Sequence, residues 1–162
     1  WEDASKEFKY SYIDILPNIT NTITAHDVQV NSITAWDQSV IRKGIPYELG
    51  KFNVNFKKTG EYKITLRRWP KESNLNLRDS IDDFIPAKKY WDQQSSGKSI
   101  NIASAFIKIG NKEYKVDLSD NLKTASINID ISSGKTSLEP GFILDNGQTS
   151  IAFYTDIDFL FK

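Results

Sequence analysis

The residues with the clearest chemical potential lie in EYKITLRRWP, Glu61 to Pro70. The run begins as an alternating β-strand and ends in two arginines, a tryptophan and a proline. Because side chains alternate along a strand, Arg68 continues the apolar face, while Arg67 and Trp69 fall on the polar face. Arg68 would reach the rim of the core, where its guanidinium needs a carboxylate or a set of backbone carbonyls. All three residues are therefore candidates for a binding site or an interface.

A tryptophan at position 69, on a polar face, has three explanations. A sugar ring can stack on the indole while Arg67 holds an anionic substituent such as sulfate. Another protein domain can pack there, with the Trp and Arg side chains as its main contacts. The third explanation is structural: the long segment from Pro70 to Lys98 covers the indole. Trp36, in ITAWDQSVIRKG, raises the same question and is a further binding or interface candidate.

Hydrolytic chemistry has little support in the sequence. The chain holds one histidine, His26, and no cysteine, which excludes a cluster of histidine metal ligands and a thiol nucleophile. His26 and Asp27 are neighbours, and neighbouring side chains on a strand point to opposite faces. This pattern favours a histidine hydrogen-bonded at a strand end, and both residues are binding or interface candidates. We predict no catalytic residue and no metal site; a structural calcium ion at Asp156 or Asp158 is the alternative, although no ligand loop accompanies them.

The composition indicates a single domain, and its balanced charges do not favour a strongly charged partner such as nucleic acid. The chain has 162 residues, enough for a single core, and its 21 basic residues balance its 21 acidic residues. No basic excess favours nucleic acid, and no apolar run approaches the roughly 20 residues of a membrane helix. The chain starts at Trp1 without a methionine, which we interpret as a fragment or a processed form.

Two-residue periodicity dominates the chain and predicts an all-β fold. KFNVNFK and EYKITL, joined by a turn that contains Gly60, are predicted to form a hairpin. In INIASAFIKIG the apolar positions shift by one residue, which indicates a β-bulge. IAFYTDIDFLF is interpreted as one last strand, and WEDASKEFKY as a short N-terminal helix. With about eight or nine strands and tight turns, we predict an antiparallel β-sandwich.

Three stretches of the chain carry a family resemblance. They are TAHDV at Thr24–Val28, WDQSVIRKG at Trp36–Gly44 and FNVNFKKTGEYKITLRRWPKE at Phe52–Glu72. In this order they resemble the non-catalytic C-terminal region of bacterial arylsulfatase-type sulfatases. Trp1 and Phe8 precede these stretches in the same pattern, and IASAFIKIG and ISSGKTSLEPGFILDNG fit it more loosely after them, so the resemblance covers nearly the whole chain. The run Leu66–Pro70 followed by Glu72 is its most specific part. Val28 departs from the pattern, which has a tryptophan at this position.

The resemblance implies a galactose-binding-like jelly roll over residues 1–162, the C-terminal fragment of a larger periplasmic or secreted bacterial sulfatase. Such enzymes hydrolyse sulfate esters with a formylglycine, made from Cys or Ser in a C/S-x-P-S-R motif, and a calcium ion. This chain has no cysteine and no S-x-P-S-R, so the resemblance implies that the chemistry belongs to the parent enzyme.

The partner implied by the resemblance is the catalytic domain of the same polypeptide. The chain would pack on that domain and shape one side of a cleft for sulfated carbohydrate. An apolar patch that includes Trp36 or Trp69 would then be exposed in the isolated domain. The strand–Gly–Tyr pattern is also similar to galactose-binding-type carbohydrate-binding modules, and an independent module of this kind is the alternative.

Overall fold

The structure is a computed structural model that describes residues 11–28, 38–44, 46–83 and 96–161. These residues contain the strands β1 Ile13–Ile15, β2 Asn21–Thr24, β3 Phe52–Phe56, β4 Gly60–Arg67, β5 Ile102–Ile109, β6 Lys112–Asp117, β7 Ala125–Ile131, β8 Gly134–Leu144, β9 Thr149–Ile151 and β10 Tyr154–Leu160. They also contain helix α1, Gln38–Lys43, and two 3-10 turns, Ala25–Asp27 and Lys71–Ser73. The predicted N-terminal helix lies outside the described residues. None of the described helices has the length and apolar character needed to cross a membrane.

The strands form two sheets that enclose one core. The first sheet has the order β1-β3-β8-β5-β6, and β9 also pairs with β8. The second sheet has the order β2-β10-β4-β7. Among the described strand pairs, only β1 and β3 run parallel. The predicted all-β sandwich of mainly antiparallel sheets is therefore confirmed.

Alternate residues of each strand fill the space between the sheets. In β3 the buried residues are Phe52, Val54 and Phe56, and the residues between them are half-buried. Side chains with essentially no exposed surface come from both sheets: Ile15, Ile23, Val54, Tyr62, Ile64, Leu66, Ile107, Leu138, Phe142 and Ile157. Burying one such side chain contributes about 1.5–3 kcal/mol. The apolar residues at alternate positions of the strands thus form the core.

The predicted hairpin of β3 and β4 is wrong, because the two strands belong to different sheets. β3 pairs with β1 and β8, whereas β4 pairs with β7 and β10. The rings of Phe56 and Tyr62 meet edge to face across the core, with centroids 4.9 Å apart. The Tyr62 hydroxyl donates to the Lys58 carbonyl at 2.6 Å, which holds the connection between the sheets. A short turn between two apolar strands is therefore compatible with a sheet-to-sheet crossing as well as with a hairpin.

The last apolar run also serves both sheets, although its sequence predicts a single strand. It is divided into β9 and β10 at Ala152 and Phe153. β9 pairs with β8 in the first sheet, and β10 lies between β2 and β4 in the second. Because Ala152 and Phe153 are both buried, the hydrophobic pattern gives no sign of the break.

The predicted β-bulge in β5 is confirmed. The register of β5 against β8 shifts between Ile102 and Ser104. Both of these residues are buried, and Ala103 between them is exposed. Beyond the bulge Phe106 also becomes buried, opposite Gly141 of β8 and apart from the main core.

Gly141 in β8 leaves the space that Phe106 fills. A Cβ atom at position 141 would lie 2.5 Å from Phe106 Cζ and 3.0 Å from the Ser150 carbonyl oxygen. We expect Gly141→Ala to lower the free energy of unfolding by about 1–3 kcal/mol through overpacking. Chemical denaturation measures this, with Ser137→Ala on the same strand as the control, expected within about 0.5 kcal/mol of wild type. Equal stability of the two variants would contradict the close packing at Gly141.

Candidate functional site

Arg68 is buried at the end of β4 and holds three segments together. Its side chain is 1% exposed. Nη1 donates to the Asp79 carbonyl at 3.0 Å, and Nη2 donates to the carbonyls of Ile41 and Lys98 at 3.0 and 2.6 Å. The predicted place of Arg68 on the buried face is therefore confirmed, and of the two kinds of partner left open the structure shows the backbone carbonyls. Ile41 belongs to α1, so this one guanidinium connects α1 to two parts of the Pro70–Lys98 segment.

The charge of Arg68 is maintained in spite of its burial. Burial lowers the pKa of the Arg68 guanidinium to about 10, and the Asp79 carboxylate opposes this shift. The side chain is thus protonated at neutral pH, so all its N–H groups remain donors. Every hydrogen bond that it makes is charge-assisted, which is the stronger class.

The predicted exposure of Trp69 is wrong. The indole is 4% exposed and is part of the core cluster. The physical reason is that β4 ends at Arg67, so strand alternation no longer decides where Trp69 points. The guanidinium carbon of Arg68 lies 4.2 Å from the centroid of the indole ring. The ring also lies close to Gly97. Of the three explanations, the structure agrees with coverage by the Pro70–Lys98 segment, and the ring is not accessible for stacking on a sugar.

Arg67 lies on the outer face of the second sheet, as predicted, but it is paired. Its Nε and Nη2 atoms donate to the two carboxylate oxygens of Asp156, at 3.1 and 2.9 Å. The Thr22 hydroxyl donates to the same carboxylate at 2.7 Å. Arg67 is only 8% exposed. The guanidinium is therefore engaged within the sheet, and it does not present a free fork to a sulfate group.

His26 and Asp27 lie in the 3-10 turn directly after β2. The Asp27 carboxylate accepts hydrogen bonds from the Thr24 backbone N–H at 2.9 Å and the Thr24 hydroxyl at 3.0 Å. The hydrogen bond that the sequence favours for His26 is not formed with any residue that the structure describes, and the side chain is exposed. Asp27 thus caps a turn, and His26 is not brought to the Arg68–Trp69 cluster. Trp36, the remaining candidate, lies outside the described residues.

A groove of about 410 Å³ lies on the outer face of the second sheet, beside Arg67. One side is formed by threonines of β2 and the turn before it, and the other by the 3-10 turn that follows Trp69. Its lining residues are Thr20, Thr22, Thr24, Arg67, Pro70, Lys71, Glu72, Tyr154 and Asp156. The volume is within the range of small-molecule sites, roughly 300–1,000 Å³.

Sequence reasoning missed Tyr154 and the role of Asp156. In β10, Thr155 and Ile157 are fully buried, which places Tyr154 and Asp156 on the other face. That alternation is visible in YTDIDF. The cross-strand partners are not, because Tyr154 lies opposite Thr24 on one side and Arg67 on the other, both far away in the sequence.

No metal centre is formed within the described ranges, where no three His, Cys, Asp or Glu side chains come close enough to share an ion. The two carboxylates considered for calcium have other partners. Asp156 is held by Arg67, and Asp158 accepts a hydrogen bond from the Thr20 hydroxyl at 2.5 Å. Both side chains therefore serve the contacts between β10 and its neighbouring strands.

Comparisons with known proteins add little to this geometry. No protein-family model and no curated protein sequence matches the chain. Among solved structures, the chain is similar to a ruminal GH26 endo-β-1,4-mannanase, with 12% sequence identity and a TM-score of 0.38. The match covers 94% of this chain and 27% of the mannanase chain. Similarity at this level assigns neither a family nor a function.

Proposed function

We propose that this chain is the non-catalytic C-terminal β-sandwich domain of a sulfatase that acts on sulfate esters of glycans. Its role is to pack on the catalytic domain of the same polypeptide and to shape one side of the substrate cleft. The observation that carries the proposal is the arrangement of the Leu66–Pro70 run, the most specific part of the sulfatase resemblance. In the structure this run forms an internal unit, in which Arg68 binds three carbonyls and Trp69 is covered.

A supporting role agrees with how the charged candidates are used. Arg67 is paired with Asp156, Arg68 is bound to backbone carbonyls, and Asp27 caps a turn. These contacts stabilise the sandwich and leave no assembled catalytic group among them. The formylglycine and the calcium ion of the proposed parent would belong to its catalytic domain, because this chain has neither a cysteine nor an S-x-P-S-R motif, and its described residues do not form a metal site.

The exposed ring of Phe161, which packs on the half-buried ring of Phe159 at the end of β10, is a suitable contact surface for the catalytic domain. Phe161 is 83% exposed, and its ring packs edge to face on Phe159 with centroids 5.6 Å apart. The Lys58 ammonium lies 4.7 Å from the Phe159 centroid. Aromatic side chains are enriched at protein interfaces, which makes this ring a candidate contact. In this proposal the patch at Phe161 replaces the predicted contact through Trp69.

The proposal predicts a sulfatase catalytic domain in the natural reading frame upstream of Trp1, with a C/S-x-P-S-R motif. The whole polypeptide should then release sulfate from sulfated oligosaccharides, which ion chromatography measures. This chain alone should release none. An upstream region without that motif, or a whole polypeptide that is inactive on a broad panel of sulfate esters, would overturn the proposal.

The contact surface has its own test in the whole polypeptide. We expect Phe161→Ser to loosen the domain contact, so that limited proteolysis separates the two parts faster than in wild type. In the isolated chain the same change should lower the free energy of unfolding by no more than about 1.5 kcal/mol, because the ring is exposed and what it loses is its contact with Phe159. Lys115→Ser, at an exposed position on β6, is the matched control in both settings. Unchanged proteolysis of the Phe161 variant would exclude this patch as the contact.

A further inference from the structure

The groove on the second sheet holds a half-buried aromatic ring, that of Tyr154. The guanidinium carbon of Arg67 lies 5.2 Å from the ring centroid and restricts its orientation. The Tyr154 hydroxyl makes no hydrogen bond to any residue that the structure describes. Burial raises the pKa of the Tyr154 phenol further above neutral pH, where a phenol is a protonated donor in any case. A fixed ring that carries a free hydroxyl offers both an apolar face and a polar contact to a ligand.

The Asp156 carboxylate, which lines the groove, is held by its neighbours before any ligand arrives. It accepts two hydrogen bonds from Arg67 and one from the Thr22 hydroxyl. An ionised carboxylate has about four acceptor positions, so one remains for a ligand hydroxyl. Since these side chains are already ordered, binding costs little conformational entropy.

The charges around the groove are balanced. Arg67 is neutralised by Asp156, and the wall presents Lys71 and Glu72, which carry opposite charges. A polyanionic ligand would gain little from such a surface and would lie beside two carboxylates. A neutral ligand with many hydroxyl groups would find hydroxyl, carboxylate and ammonium partners around one aromatic ring.

We propose that this groove binds an unsulfated sugar residue. The apolar C–H face of the sugar packs on Tyr154, and its hydroxyl groups bond to the free position on Asp156 and to the threonine hydroxyls of β2. The inference does not depend on the sulfatase proposal, because it concerns only side chains of the second sheet and the adjoining turn. It differs from the stacking site first considered at Trp69, since that indole is buried.

The test is a titration of the ¹⁵N-labelled chain with methyl glycosides, followed by amide chemical shifts. The probes are the methyl glycosides of galactose, glucose, mannose, xylose, fucose and rhamnose, with galactose 6-sulfate as the charged counterpart of galactose. At least one neutral probe should bind with a millimolar dissociation constant and shift the amides of Thr22, Thr24 and Tyr154. Galactose 6-sulfate should bind no more tightly than galactose.

Variants separate the ring from the hydroxyl. Tyr154→Ala should weaken binding about tenfold or more, because it removes the stacking surface. Tyr154→Phe keeps the ring and should weaken binding by only about threefold to tenfold through the lost hydrogen bond. Tyr12→Ala, at a half-exposed tyrosine beside Lys135, should leave the affinity unchanged.

Three results would overturn the inference. The first is the absence of binding by every neutral probe. The second is binding that is unaffected by both Tyr154 variants, or whose shifts lie outside the groove. The third is a clear preference for galactose 6-sulfate, which would show that the site recognises an anion. If Tyr154→Ala fails to fold, the Tyr154→Phe comparison and the shift map still decide between these outcomes.

Discussion

Replacing Arg68 with methionine should lower the free energy of unfolding by about 2–4 kcal/mol, as measured by guanidinium chloride unfolding with far-ultraviolet circular dichroism. Methionine fills much of the space of the arginine stem, so the main loss is polar. The carbonyls of Ile41, Asp79 and Lys98 would lose their charged donor. An unsatisfied buried carbonyl costs about 1–3 kcal/mol, and partial access of water to the Asp79 and Lys98 carbonyls offsets part of that sum.

Arg68→Lys refines this prediction, because it keeps the charge and changes the geometry. A lysine ammonium is a compact group without the planar fork of arginine, so it cannot reach three separated carbonyls at once. We expect a loss of stability about half that of Arg68→Met. Lys63→Met, at an exposed position of the same strand, is the control and should stay within about 0.5 kcal/mol of wild type. If Arg68→Met behaves like Lys63→Met, the guanidinium does not hold these segments.

The sequence predicts the position of Arg68 and not that of Trp69, although the two residues are adjacent. Period-two alternation is reliable inside a paired strand, and β4 is paired on both sides from Glu61 to Leu66, while Arg67 pairs only with β10. Arg68 lies one residue beyond the end of β4, and its side chain still follows the alternation. Trp69 does not, because the backbone has left the sheet and the ring follows the local chain direction. Pro70 indicates that pairing ends, but it does not specify how far before it the last pair lies.

Local sequence patterns also fail to predict which strands pair in each sheet, for a related reason. β3 and β4 both have one apolar face and a three-residue connection between them, which suits a hairpin. β3 instead pairs with β1 and β8, and β4 pairs with β7 and β10, so three of the four partners come much later in the chain. Local alternation fixes which face of a strand is buried and carries no information on such distant partners. The groove around Tyr154 was missed for the same reason, since it exists only because β2, β4 and β10 are neighbours.

Trp69→Ala should destabilise the isolated chain by about 3–5 kcal/mol, the usual cost of removing a buried indole. The ring is 4% exposed and contacts the Arg68 guanidinium and the backbone around Gly97, so its removal leaves a cavity where three segments meet. Phe161→Ala is the matched control. It removes an aromatic ring of which 83% is exposed and which packs edge to face on Phe159, so it should lower the free energy of unfolding by no more than about 1.5 kcal/mol.

The comparison of these two variants decides which aromatic side chain is structural and which is available to a partner. A functional tryptophan on the surface would tolerate truncation in the isolated chain, whereas a core tryptophan would not. Circular dichroism is the suitable signal, since fluorescence would change with the loss of the indole itself. Trp69→Phe should fall between wild type and Trp69→Ala, because a smaller ring fills part of the cavity. If Trp69→Ala is as stable as Phe161→Ala, the indole is not part of the core, and a contact of Trp69 with a sugar or a catalytic domain becomes the better explanation of the LRRWP run.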